Sequence, residues 1–213
     1  MASRTVRSAA ATATRDRLLQ AAMEVFAERG YHGTTVDDVV AASVTSKGAF
    51  YHYFSSKRNV FLTLMDTLAG LVEAGAEAAI AGEPSGLGKV EGALKVVLEM
   101  AEARRDLVKI LLVEAVGLGP ELEQKRLEIH RRFARVIQRH LDHAVADGAI
   151  PPQNTGLAAQ AWLGTLNEVI TLWLVTGEGR VTDRLPDLRM LLLRSIGAAD
   201  PSGPRPSTGS SGG

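Results

Sequence analysis

Apolar side chains recur along this chain at intervals of three and four residues, and almost nowhere at intervals of two. From Arg15 to Arg29 the stripe is Leu18, Leu19, Ala22, Val25 and Phe26, and Gly30 follows where a helix should stop. Thr35-Val-Asp-Asp38 pairs a hydroxyl with a carboxylate three residues on, which is a capping box, and predicts a short helix to Ala42. A second short helix is expected to start at Thr45 or Ser46. Ser55-Ser56 predicts the start of a longer one, from Lys57 to Ala81. Further helices are expected over 89–104, 107–116, 120–147, 155–176 and 185–196, separated by glycine- and proline-bearing breaks. No strand run or hairpin turn stands out, so the expected fold class is all-α, with about nine helices.

The breaks also suggest domains. Residues 1–13, rich in Ala, Ser, Thr and Arg, read as a disordered arm, and residues 200–213, DPSGPRPSTGSSGG, as a flexible tail. Between them, 14–60 is expected to form a small head and 61–199 a larger body. The long helix from Lys57 joins the two and ends at the clear break GEPSGLG, residues 82–88. Net charge is zero, but it is unevenly spread. Residues 1–60 hold eight Lys/Arg against five Asp/Glu, leaving 16 and 19 for the remainder. A mildly basic head on a mildly acidic body suits nucleic acid at the head.

The stretch TSKGAFYHYFSSK, Thr45 to Lys57, carries the chemistry. It has four aromatic rings, a histidine, two lysines and several hydroxyls, and no acid. Phe50 and Phe54 lie four apart and share one helical face, so they should root the helix in a core. Tyr51, His52 and Tyr53 fall on other faces, with donors for phosphate or base contacts. Ser46, Lys47, Gly48 and Ala49 make a first turn that is small or basic, as close approach to a duplex requires. Two short helices after an amphipathic one form a helix-turn-helix, whose second helix enters the DNA major groove N-terminal end first. Thr35 and Lys57, at the starts of the flanking helices, are expected near phosphates.

These residues carry a resemblance. RLLQAAMEVFAERGYHGTTVDDVV and SKGAFYHYFSSKRNVF resemble the DNA-binding head of the TetR family of transcriptional regulators, over about Arg17 to Phe61. The resemblance implies a dimeric, all-helical, usually repressing regulator that binds a palindromic DNA operator and releases it on binding a small molecule. The chain departs from the family pattern at the turn, where Val44 stands for the usual glycine and Thr45 for an apolar residue. A β-branched residue resists positive φ, so an altered turn is expected, with a tilted recognition helix or a cap moved to Thr45.

The body is less explicit. The 155–176 segment is apolar on nearly all sides, which suggests that a partner subunit covers part of it and that the chain is a homodimer. The stretch from Leu111 to Pro152, with LGTLNEVI after it, is similar to effector domains of TetR-type regulators of fatty-acid or acyl-CoA metabolism. An apolar pocket is the expected form of such a site, with Met100, Leu111, Phe133, Trp162, Asn167 and Glu168 as lining candidates. Arg131, Arg132, Arg135 and Arg139 line one helix, with Glu123 and Glu128 on hand for ion pairs. The chain has no cysteine, and no nucleophile stands with a base pattern. The reading is therefore of a cytoplasmic regulator that is not an enzyme and carries no metal or cofactor. The alternative is a DNA-binding regulator or activator without an effector.

Overall fold

The computed structural model describes residues 2–114 and 118–198, so the expected tail lies outside the described residues. The fold is all-α, and no strand occurs among the described residues. Helix α1 runs Ala2–Gly33 and begins inside the segment expected to be an arm. Its regular turns end at Gly30, at φ 71° and ψ 174°, a conformation open mainly to glycine. Thr34 folds back there and donates its hydroxyl to the Gly30 carbonyl at 2.8 Å. Helices α2 (Val36–Ala42) and α3 (Lys47–Tyr53) complete the head.

Helix α4 (Lys57–Gly82) follows, capped by the Ser56 hydroxyl as expected. Helix α5 (Gly86–Ala103) starts three residues before its expected beginning, because Ser85 inside the GEPSGLG break caps it. The helix expected over 107–116 is divided. A five-residue α6 (Arg105–Lys109) passes directly into a π-helical turn, Ile110–Glu114. Helices α7 (Pro120–Ala146), α8 (Thr155–Thr176) and α9 (Leu185–Ser195) close the body.

Two apolar cores result. The head core gathers Leu18, Ala22 and Phe26 of α1, Val39 of α2, Phe50 and Phe54, and Val60, Phe61 and Leu64 of α4. The body core gathers Leu94 and Leu98 of α5, Trp162, Ile170 and Trp173 of α8, and Leu188 and Leu192 of α9. Ile110 and Leu122 belong to the head core, while Leu112 and Val113 pack on the body core. The π turn thus spans both.

Helix α4 is the other bridge. Its first half is sunk in the head core, and the helix packs on α5 and α7. Contact with α5 is close. A Cβ added at Gly75 would stand 2.9 Å from Val96 Cγ1, so only glycine fits without a shift. Along α7 runs a ladder of ion pairs. Arg58 reaches Glu121 at 3.2 Å, Lys125 reaches Asp66 at 3.0 Å, and Arg132 reaches Glu73 at 2.7 Å. At the far end Arg139 and His140 both meet Glu77. The expected partners of this arginine row were acids on its own helix. Glu123 and Glu128 instead bind Arg126 and Lys125, and of the row Arg132 and Arg139 cross to α4.

Candidate nucleic-acid interface

Thr35 forms the expected capping box. The Asp38 backbone N–H donates to Thr35 Oγ1 at 3.2 Å, and the Thr35 N–H donates to Asp38 Oδ2 at 2.8 Å. These Thr35 hydrogen bonds, with Arg29 at 2.7 Å, hold the Asp38 carboxyl below its usual range. The Thr35 hydroxyl itself donates to Asp38, at 2.6 Å, so it serves the helix start first.

The turn between α2 and α3 corrects an expectation. Val44 takes φ 51°, the left-handed conformation that glycine usually supplies. Two backbone bonds enforce it: Val44 N–H to the Ala41 carbonyl and Thr45 N–H to the Val40 carbonyl, each 3.3 Å. This crossed pair closes a helix C-terminus and places its left-handed residue at Val44. The Ser43 and Thr45 hydroxyls, 2.7 Å apart, brace the turn. Nor has the cap moved. Ser46 caps α3, accepting from the Ala49 N–H at 3.1 Å. The turn keeps the geometry expected for glycine, at a strain of about 1–2 kcal/mol for a side chain at such φ. Val44 is 85% exposed, so burial offsets none of it.

Phe50 and Phe54 are buried, their rings 5.8 Å apart, and root α3 in the head core as expected. Lys47, Gly48, Tyr51 and His52 are exposed and Ala49 is half-buried, so α3 turns one small, polar and basic face outward. Lys47 pairs with Asp37 at 2.8 Å across that face, and this bond raises the lysine's pKa. Both side chains are largely in solvent, where such a pair adds little stability and exchanges readily for a stronger anion. Tyr53 packs instead against the head core, half-buried, with its ring 4.7 Å from that of His52.

Lys57 also turns inward. Its Nζ donates to the Tyr31 and Thr34 carbonyls at 2.7 and 2.8 Å and lies 4.4 Å from the centre of the Tyr31 ring. Burial pushes this ammonium below the ordinary lysine range, and the two carbonyls and the ring keep it favourable to charge. The side chain therefore ties α4 to the end of α1, rather than standing free for a phosphate. Lys57→Met should lower head stability by about 2 kcal/mol. It removes two charge-assisted bonds of roughly 1.5–3 kcal/mol each, and methionine packing returns part of that. Thermal unfolding checks this: a variant that melts with the wild type and only binds DNA less well would assign Lys57 to the duplex.

The six effector candidates are not gathered in one place. Met100, Phe133 and Asn167 are half-buried on α5, α7 and α8. Leu111 packs against the head core. Trp162 is buried between α8 and α9, its Nε1 donating to Ser195 Oγ at 3.0 Å, and Glu168 is exposed. A cavity of about 350 Å³ opens at the head–body junction. Glu28, Arg29, His32, Asp106 and Lys109 line it, together with Ile110, and it includes none of the six. Among the described residues no group of three or more His, Asp or Glu could hold a metal, and no helix is long and apolar enough to cross a membrane.

A short helix rooted by two phenylalanines, capped by serine and joined through a closed turn to the helix before it, defines a helix-turn-helix DNA-binding protein. Comparison with known families makes this specific. Residues 18–64 match the model for bacterial regulatory proteins of the tetR family, and 84–183 match the tetracyclin repressor-like C-terminal domain. The chain belongs to the TetR family of transcriptional regulators.

Among its relatives is the fatty acid metabolism regulator protein of Bacillus subtilis (strain 168), 24% identical over 163 residues, 76% of this chain and 84% of that one. The regulator TcmR of Streptomyces glaucescens is 32% identical over 133 residues, 58% of each chain. Among solved structures, FadR of Bacillus halodurans superposes with a TM-score of 0.78 at 24% identity, covering 84% of this chain and 97% of that one. FadR of Bacillus subtilis in complex with stearoyl-CoA gives 0.77 at 23% identity, covering 85% and 99%. At that identity both speak for the fold.

Proposed function

We propose that the protein is a repressor that holds a palindromic operator as a homodimer and releases it when a long-chain, largely apolar effector of the acyl-CoA class enters the body. The observation that carries the DNA reading is the split face of α3. Phe50 and Phe54 are sunk in the core, while Lys47, Tyr51 and His52 stand outside. The contact set is Ser46, Lys47, Gly48, Ala49, Tyr51 and His52, with Thr35 and Thr45 at the flanks.

The dimer reading rests on an unpartnered apolar stripe. Leu157, Leu172 and Val175 of α8 and Leu191 of α9 are each more than half exposed, and Met190 nearly half. Few monomers leave so many large apolar side chains on two neighbouring helices. Two heads held by that seam would sit on half-sites about one DNA turn apart, ~34–36 Å.

For the effector, the support is the likeness to a stearoyl-CoA-bound relative, with Met100, Phe133 and Asn167 half-buried on α5, α7 and α8. Helix α4, sunk in the head core and ion-paired along α7, is the natural lever. An effector that binds better to one α4 setting shifts the population of heads toward it. Stearoyl-CoA at a hundred times its dissociation constant should stabilise the protein by about 2.7 kcal/mol and strip it from its operator. Free CoA should do neither. If acyl-CoAs of every chain length leave both the melting temperature and the operator complex unchanged, the effector class is wrong.

A further inference from the structure

Val44 combines two properties that folding alone does not reward. Its backbone is held at φ 51°, where glycine would be unstrained, and its isopropyl group is 85% exposed. The strain is fixed locally, by the crossed Ala41 and Val40 bonds and by the Ser43–Thr45 hydroxyl contact. The side chain therefore has a fixed position as well as an open one. Strained residues persist where the surrounding structure over-determines them, and they gather at functional sites.

The neighbours of Val44 say what it would meet. It stands two residues before Ser46, the cap of α3, and like Lys47 and Tyr51 it is exposed to solvent. The buried side of this turn is Ser43. In a helix-turn-helix the start of the second helix approaches base edges, so the turn itself lies at the rim of the major groove. The one apolar group a base offers there is the thymine C5 methyl. An isopropyl group cannot hydrogen-bond to a phosphate, and glycine in its place would offer the methyl nothing.

We propose that Val44 is a specificity-determining residue that packs on a thymine methyl in each half-site of the operator. This rests on the DNA-binding reading above. It adds that the valine discriminates a base pair at the expense of turn stability.

The test uses the full chain and duplexes selected by it from a randomised library. Each thymine of the selected site is replaced by deoxyuridine, symmetrically in both half-sites, and affinity is measured for the wild type and Val44→Gly. At one thymine the wild type should lose about fourfold per half-site, the worth of one methyl group removed from contact, hence roughly fifteenfold for the dimer. Val44→Gly should bind the thymine duplex about as weakly as the wild type binds the uracil one, and should show no further loss at that position. It should also melt higher than the wild type, since glycine relieves the strained φ.

Equal affinity of the two proteins for the thymine duplex overturns the proposal. So does a weaker Val44→Gly that keeps the full uracil penalty, because the valine then touches sugar or phosphate alone. Failure of the wild type to select any sequence would instead overturn the DNA-binding reading on which this one stands, and the two failures are told apart by that selection step.

Discussion

Phe50→Ala should unfold the head and leave the body standing. Phe50 is 0% exposed and packs with Phe54, Val39 and the start of α4 in the head core. Deleting a buried phenyl ring costs about 3–5 kcal/mol through lost transfer energy and the cavity left behind. Whole domains are stable by only about 5–15 kcal/mol, and a unit as small as this head lies at the low end. The body has its own core around Trp162, Trp173 and Leu98, to which Phe50 contributes nothing.

Amide exchange checks the partition directly. Protection in α2 and α3 should collapse toward that of an open chain, while α8 and α9 keep theirs. Loss should be partial at Ile110 and Leu122, which belong to the head core although they lie in the body's sequence. Uniform loss along the whole chain would mean one cooperative core rather than two.

Much of this architecture is written in local pattern. The capping residues Thr35, Ser46 and Ser56 each sit one residue before a helical stripe, and their hydroxyls bond backbone amides three residues away. Such contacts depend on nothing distant, so spacing reveals them. The two-faced character of α3 is legible for the same reason, through the four-residue interval between Phe50 and Phe54.

What stayed hidden depends on long separation. Lys57 is tied to carbonyls of Tyr31 and Thr34, 26 and 23 residues upstream, and no side-chain pattern marks a backbone acceptor. Arg132 finds Glu73 across 59 residues, so a search along its own helix misses it. Trp162 looks like pocket lining until its indole meets Ser195, 33 residues on. Val44 shows the limit of a propensity argument. β-branching does disfavour positive φ, but two crossed backbone bonds and the anchoring of α2 and α3 by Val39 and Phe50 outweigh it. The π turn at Ile110–Glu114 has no signature in the apolar periodicity.

The second large effect is expected at the face of α3. Lys47→Ala combined with Tyr51→Ala should cost little stability. The Lys47–Asp37 pair is exposed on both sides, and Tyr51 is 56% exposed. A loss below about 1 kcal/mol moves the melting temperature of a chain this size by roughly 2–4 °C. The effect on DNA should be far larger. Two contacts would disappear from each head of the proposed dimer, and Asp37, stripped of its lysine, would present a bare carboxylate to the phosphates. Specific complexes stand about 10³–10⁷-fold above non-specific ones, and the double variant should surrender nearly all of that margin.

Salt dependence reports the same interface. With Lys57 engaged inside the head and Arg58 paired with Glu121, Lys47 and one or both of the exposed Arg15 and Arg17 remain for phosphates. Two or three phosphates per head predict a log–log slope of roughly −4 to −5 for the proposed dimer, since each contributes about −0.9.

The central claim, that α3 of this chain reads DNA, is tested most directly by titrating the wild type and the Lys47→Ala, Tyr51→Ala variant against the selected operator and a scrambled duplex, by fluorescence anisotropy at one fixed salt concentration. The wild type should prefer the operator by at least about 10³-fold. The variant, melting within a few degrees of it, should bind both duplexes alike. A folded variant that keeps the operator preference would contradict the assignment of α3 as the recognition helix.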